Sequence, residues 1–239
     1  MYARWVWLGR VPWGAAAALQ ERLRAEVLAG TAPETLLLLE HDPVITLGRS
    51  ADPAHVTASP ALLAARGIAV ARTTRGGDVT YHGPGQLVGY PVVRLRRGVI
   101  VHMRSMADGL TEVLAARGIA ARFRRTAPGL WVDAPDGEPA AKICAFGVHV
   151  QRRVSIHGFA LNVATDLDAF RLIVPCGLPG APVTSMQRLG VTPPSLETLA
   201  VEVARAFAWT FETSFERAPA ASLGARDAGV EAGAHAIAP

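Results

Sequence analysis

Turn-forming residues cut this chain into short apolar runs of two different periods, and that punctuation excludes most architectures. Extended, strand-like runs occur at Arg4 to Leu8, Thr35 to Leu39, Val44 to Leu47, Ile68 to Arg72 and Leu87 to Val93. Four more follow at Ile119 to Phe123, Gly129 to Asp133, Ala140 to Gln151 and Val154 to Val163. Helical spacing appears at residues 14–29, where Leu19, Leu23 and Val27 share a stripe ahead of Gly30. It recurs from Ser59 and Pro60 to Gly67, and over 101–117, where Met103, Met106, Leu110, Val113 and Leu114 share a face. A long helix is expected over 195–216, opened by Ser195, with Leu196, Leu199, Val203, Phe207 and Phe211 turned inward. Strands and helices do not alternate regularly. The expected class is therefore α+β, a mixed β-sheet core with flanking helices, and a Rossmann arrangement is disfavoured. Pro135, Asp136 and Gly137 read as the turn of a hairpin. Residues 73–86 read as a loop, and the Ala- and Gly-rich stretch 218–239 as a disordered tail behind one domain at 1–217.

With 239 residues, half of them hydrophobic, the chain has material for a full core. Its opening, MYARWVWLGRVPW, lacks a leader pattern, and no apolar run is long enough to span a bilayer, so a soluble, cytoplasmic protein is expected. A formal charge of +4 and a pI near 9.7 favour acidic partners. The densest basic group, Arg122, Arg124 and Arg125, reads as solvated surface and not as a nucleic-acid tract. Neither GxGxxG nor GxxxxGK[ST] is present, which removes the common phosphate-cradling loops.

Of the 24 basic residues, 23 are arginine, and Lys142 is the sole lysine. A lysine retained where arginine fills every other cationic position suits a task that needs an amine able to release its proton, although chance survival is an equal reading. Two cysteines occur, and free thiols are expected. Cys176 lies in IVPCGLPG, an irregular bend that suits an exposed thiol near backbone N–H groups. Cys144 lies two positions from Lys142, on the same face of a regular strand, but among apolar neighbours that suit a packed residue. Whether Lys142 meets Cys176, 34 positions later, spacing does not show. The segment from Arg75 to Gln86 carries four glycines and a proline among polar side chains, so its backbone can press on a ligand, or it can be a tight connection. His82 and His157 admit a base or a structural role, the structural one being commoner for a lone histidine. Gly158, Phe159 and Ala160 alternate small and large, as the floor of a pocket would.

At these residues a resemblance enters. RGGDVTYHGPGQLVGYPVV at 75–93 closely resembles the signature of lipoyl(octanoyl) transferases, the acyl-carrier-protein-dependent enzymes of lipoate biosynthesis. It extends through EHDPVITLGR at 40–49, AKICAFGVHVQRRVSIHGFALNV at 141–163, and Val183 to Met186 after the Cys-Gly pair. The resemblance implies that Cys176 carries the acyl group as a thioester and that Lys142 is its acid/base partner. It implies an acyl pocket lined by Arg75, Gly76, Gly77, Asp78, Val79, Thr80, Tyr81, His82, Ala145, Phe146, Gly147, Gly158, Phe159 and Ala160. The implied fold is similar to biotin protein ligases and lipoate-protein ligases. The implied donor is octanoyl-acyl carrier protein, and the implied acceptors are lipoyl domains of 2-oxoacid dehydrogenase complexes and the glycine cleavage H protein. No metal, ATP or other cofactor is implied. Cys144 departs from the family pattern, which has a small non-thiol residue there. An ATP-dependent lipoate or biotin ligase and a non-catalytic acyl-binding module are the competing readings.

Overall fold

Leu36 to Leu39 are four consecutive leucines without solvent exposure, which a strand achieves only when both of its faces are covered. The computed structural model describes residues 2–133, 140–174 and 182–224. In chain order its elements are β1 (Tyr2–Val11), α1 (Trp13–Ala29), β2 (Glu34–His41), β3 (Val44–Leu47), α2 (Pro60–Ala65), β4 (Ala69–Arg72), β5 (Val79–His82), β6 (Gln86–Val92) and α3 (Val99–Ala115). There follow β7 (Ala121–Arg124), β8 (Gly129–Val132), β9 (Ala141–Gln151), β10 (Val154–Asn162), α4 (Leu196–Thr210) and β11 (Ser214–Arg217). Eight strands form one mixed sheet in the order β11-β1-β2-β6-β10-β9-β8-β7, and β4-β3-β5 form a second, smaller sheet. The α+β class expected from the sequence is the class observed.

Side-chain alternation divides the large sheet between two cores. Leu36 and Leu38 face a cluster with Met106 and Leu110 of α3 and Val203 and Phe207 of α4. Leu37 and Leu39 face the opposite cluster, with Leu19, Leu23 and Val27 of α1. A third cluster joins the small sheet, through Ile45, Val79 and Tyr81, to Leu63 of α2 and to Phe170 and Leu172. The helices begin and end as their sequences ask: the hydroxyls of Ser59 and Ser195 accept from Leu62 N and Thr198 N, and Gly30 closes α1 in the left-handed region. None of the described helices is long and apolar enough to cross a membrane.

Three expectations are corrected. Residues 73–86 are not all loop, because Val79–His82 pairs antiparallel with β3 as β5. The last helix does not run to residue 216. It stops at Thr210, Glu212 takes a left-handed φ of 51°, and the chain turns back so that β11 pairs parallel with β1. Residues 218–224 are not loose either. Leu223 is buried against α1's core, and Ser222 accepts Arg4 Nη1 at 3.0 Å through its carbonyl. The turn at Pro135, Asp136 and Gly137 and the stretch 225–239 lie outside the described residues.

Phe207 has no solvent exposure and its ring lies 5.6 Å from Phe159 and 5.1 Å from Phe211. Phe207→Ala is expected to lower the unfolding free energy by about 3–5 kcal/mol, read as a fall in the midpoint of guanidinium denaturation with unchanged slope.

Candidate active site

A cavity of about 540 Å³ opens between the β9–β10 hairpin on one side and residues 73–80 with β3 and β5 on the other. The hairpin supplies its floor. Ala145 pairs with Ala160, Phe146 with Phe159 and Gly147 with Gly158, so two rungs of small residues leave room above the sheet. A Cβ on Gly147 would lie 3.0 Å from Gly76 O, and one on Gly158 would lie 2.3 Å from Gly89 O; both glycines admit a neighbouring backbone. Thirteen of the fourteen residues expected to line an acyl pocket line this cavity: Arg75, Gly76, Gly77, Asp78, Val79, Thr80, His82, Ala145, Phe146, Gly147, Gly158, Phe159 and Ala160. Tyr81 instead packs in the third core, its ring edge-on to Phe170 at 5.6 Å.

Lys142 is placed by an irregularity in β9. The β8–β9 ladder matches Leu130 with Cys144 but Trp131 with Lys142, so Ile143 is the extra residue of a β-bulge. Ile143 and Cys144 consequently both enter the α3/α4 core, and Lys142 turns to the face of Ala145. It shares a recess of about 20 Å³ with Thr80, Ala145 and Ala160, three residues that also line the large cavity. The same-face relation of residues 142 and 144 expected for a regular strand is thereby overturned. Lys142 is buried, and its Nζ lies 4.9 Å from the centroid of the Trp131 ring. Its backbone N–H donates to Pro182 O at 2.9 Å and its carbonyl accepts from Thr184 N at 3.0 Å. Cys176 lies outside the described residues. The chain before it is held where Val174 N donates to His55 O at 2.7 Å.

The lipoyl protein ligase A/B catalytic-domain model matches residues 14–208. The chain belongs to that family. Among curated relatives of this lipoyl protein ligase A/B chain, an octanoyltransferase of Solibacter usitatus is 48% identical over 221 residues, which span 91% of this chain and 96% of the relative. An octanoyltransferase of Myxococcus xanthus is 46% identical over 216 residues, or 89% of this chain but only 60% of that protein. In fold, a bipartite lipoate protein ligase of Thermoplasma acidophilum, studied with its E2 lipoyl domain, superposes with a TM-score of 0.72 at 20% identity, covering 92% of this chain and 87% of that one. The resemblance read from the sequence is borne out at the level of family and fold.

Within this family member, burial decides the state of most titratable groups near the cavity. The Cys144 thiol is fully buried, and that burial pushes its pKa up, so it is a packed core residue. His82 Nδ1 donates to Gln86 Oε1 at 2.8 Å, Thr46 Oγ1 lies 3.3 Å from Nε2, and Gln86 Nε2 passes the network to Asn162 Oδ1 at 2.9 Å. Burial, with His41 and Arg75 adding to it, lowers the His82 pKa to about 3. His157 takes a left-handed φ of 59°, its N–H donating to Gln20 Oε1 at 2.7 Å and its Nε2 facing the Thr73 and Thr74 hydroxyls at 3.3 and 3.0 Å. Burial first and Arg75 second lower its pKa to about 3. Both rings are neutral, tied structural groups at physiological pH. Arg75 clamps the loop to β3 through Nη2, which donates to Thr46 O at 2.6 Å.

Several lining residues carried no local signal. Trp13, Ser50 and the run from Thr126 to Pro128 reach the cavity from segments distant in sequence, Thr73 and Val148 extend segments already singled out, and Met103, expected as core filler, lines it too. His55, which pairs with Asp78 at 2.6 Å, was likewise unmarked. Tyr90, which also lines the cavity, meets His41 Nε2 through its hydroxyl at 2.7 Å.

His41, His82, His102 and His157 are all held below 6.5, at about 4, 3, 4 and 3. Below pH 6.5 the unfolded chain takes up protons that these rings refuse, so the stability they confer is complete above about 6.5 and lost as pH falls toward 3–4. Each can contribute a slope of up to about 1.4 kcal/mol per pH unit in that window. Denaturant titrations at pH 7.5 and 5.5 are expected to show markedly lower stability at 5.5, with a smaller drop in His82→Gln.

Proposed function

We propose that this chain moves an octanoyl group from the thioester of acyl carrier protein to a lysine of a lipoyl domain, with Cys176 holding the acyl group in between. The observation that carries this reading is the placement of Lys142, the sole lysine, turned by the bulge at Ile143 into a recess that shares Thr80, Ala145 and Ala160 with an acyl-sized cavity. Kinship with curated octanoyltransferases supports the acyl group named. Arginine cannot serve at that position as a proton carrier, and Cys144, the other thiol, is sealed in the core.

In this reading Lys142 assists formation of the Cys176 thiolate, which attacks the donor thioester and expels the carrier's pantetheine thiol. The acyl chain lies against Val79, Phe146, Phe159 and Ala160. The acceptor lysine, once deprotonated, attacks the enzyme thioester; the C–N bond forms, the C–S bond breaks, and Cys176 regains its proton. Since a thioester gives way to a more stable amide, no ATP is consumed. Acidic donor and acceptor proteins suit the basic pI near 9.7. Lipoyl domains of 2-oxoacid dehydrogenase complexes and the glycine cleavage H protein are the acceptors, and the cytoplasm is the compartment in which both partners are met.

Incubation with octanoyl-carrier protein and intact-mass analysis is expected to show one octanoyl adduct, mapped to Cys176 and absent from Cys176→Ser. An adduct on Cys144 instead, or pyrophosphate release from ATP and free octanoate without any adduct, would sink the assignment. Lys142→Arg keeps the charge and is expected to cut turnover by about 100-fold or more. Near-normal turnover in that variant would remove Lys142 from proton transfer.

A further inference from the structure

Arg24 of α1, Arg49 beyond β3 and His149 of β9 meet at one rim of the cavity. Val148 and Ser50 line the wall there, and His149 and Arg49 are their chain neighbours. Arg24 Nη2 pairs with Glu21, while its Nη1 lies 3.4 Å from His149 Nδ1. With Nδ1 accepting from the guanidinium, the ring proton sits on Nε2, which has no hydrogen-bond partner among the described residues. Burial first, then Arg24 and Arg49, hold the His149 pKa below its ordinary 6.5, with Glu21 opposing them. Arg49 is exposed, and its guanidinium makes no hydrogen bond or ion pair among the described residues. Its main chain is fixed, Arg49 N donating to Arg75 O at 3.0 Å. Two guanidiniums and an imidazole N–H against one carboxylate make an open rim of positive potential with donors unfilled.

This rim stands apart from the Lys142 recess. Lys142 borders the cavity at Thr80, Ala145 and Ala160, and from residue 145 to residue 149 β9 advances about 13 Å. The carrier's arm has about thirteen bonds between its sulfur and the phosphorus of its phosphodiester, the main-chain length of roughly four extended residues. The acyl chain needs no donor and has the apolar wall at Met103, Phe146 and Phe159, whereas the phosphodiester is the one anion that the arm carries. We infer that Arg24, Arg49 and His149 form a subsite for the phosphodiester of the donor's phosphopantetheine arm, an inference that rests on the function proposed above. The free phosphodiester oxygens accept from Arg49 and from His149 Nε2, and Arg24 lends charge while it orients the imidazole. No bond is made or broken there. Anchoring the phosphate lets the arm run along β9 with its thioester toward the Lys142 recess, so the subsite acts through donor binding and its loss falls on KM for the donor.

The test gives the full-length enzyme and a lipoyl domain three octanoyl donors: octanoyl-carrier protein, octanoyl-phosphopantetheine and octanoyl-pantetheine, the last two differing only in the phosphate. Wild-type kcat/KM is expected to be about 10- to 100-fold higher with the phosphate than without it, the range of charge-assisted hydrogen bonds, chiefly through KM and less so as salt is raised. Arg49→Gln is expected to lower that preference, and kcat/KM for octanoyl-carrier protein, by about 10-fold, with KM for the lipoyl domain unchanged. Equal use of the two small donors by wild-type enzyme, use of neither included, overturns the inference without recourse to any variant. So does a preference that survives Arg49→Gln, or a rise in KM for the lipoyl domain in its place, which would mark the rim as a dock for the acceptor. Enzyme that takes no octanoyl group even from carrier protein overturns the transferase reading and this inference with it, whereas a working transferase indifferent to the phosphate overturns the subsite alone.

Discussion

With α3 and α4 over one face of β2, β6 and β10, and α1 over the other, the buried polar groups of these strands cannot turn to water. Each must find a partner inside. His41 Nδ1 therefore donates to Val11 O and its Nε2 meets the Tyr90 hydroxyl, both at 2.7 Å. Gln86 joins Asn162 to His82, and Asn162 Nδ2 donates to Thr184 O at 3.0 Å. These bonds join the small sheet to the large one through His82 and, with the backbone bonds of Lys142 to Pro182 and Thr184, hold the 182–184 segment against it. Ser155 illustrates the same rule outside the cavity, its hydroxyl donating to Pro91 O at 2.6 Å from a position without exposure.

Two-sided burial also explains how one inserted residue redirects a side chain. In a regular strand Lys142 and Cys144 share a face, which would aim a cation into the α3/α4 core. The bulge at Ile143 breaks the alternation, seals both Ile143 and Cys144 among Leu130, Leu161 and Met186, and releases Lys142 to the opposite face. Gly129, opposite in β8, permits the irregularity; a Cβ there would lie 2.2 Å from Cys144 O and 3.4 Å from Lys142 Cε. Trp131, two residues on, then presents its ring to the ammonium.

Features governed by local periodicity were legible in the sequence. The helical faces of 14–29 and 101–117, the doubly buried leucines of β2 and the glycine-rich segment at 75–82 can be read without a partner in view. The bulge was not legible, because period-two reasoning presumes that every residue has an opposite number. Nor was β11, since SFER is an unremarkable tetrapeptide until β1 offers it an edge. The His55–Asp78 pair joins residues 23 apart in sequence through a turn with no periodic pattern. Lys142 was legible through composition and through the family resemblance, neither of which could show where it points.

Apolar walls and neutral imidazoles meet in the cavity. Val79, Met103, Phe146 and Phe159 give it apolar walls, and the imidazoles that border it, His82 and His157, are kept neutral by burial. An alkyl chain can therefore enter without desolvating a charged imidazole. Arg75 does carry charge there, but its guanidinium is committed to Thr46 O and Gly76 O, where it serves the loop. Burial therefore does two things at once in this cavity: it provides the apolar surface of the walls, and it removes the charge that His82 and His157 would otherwise bring to them.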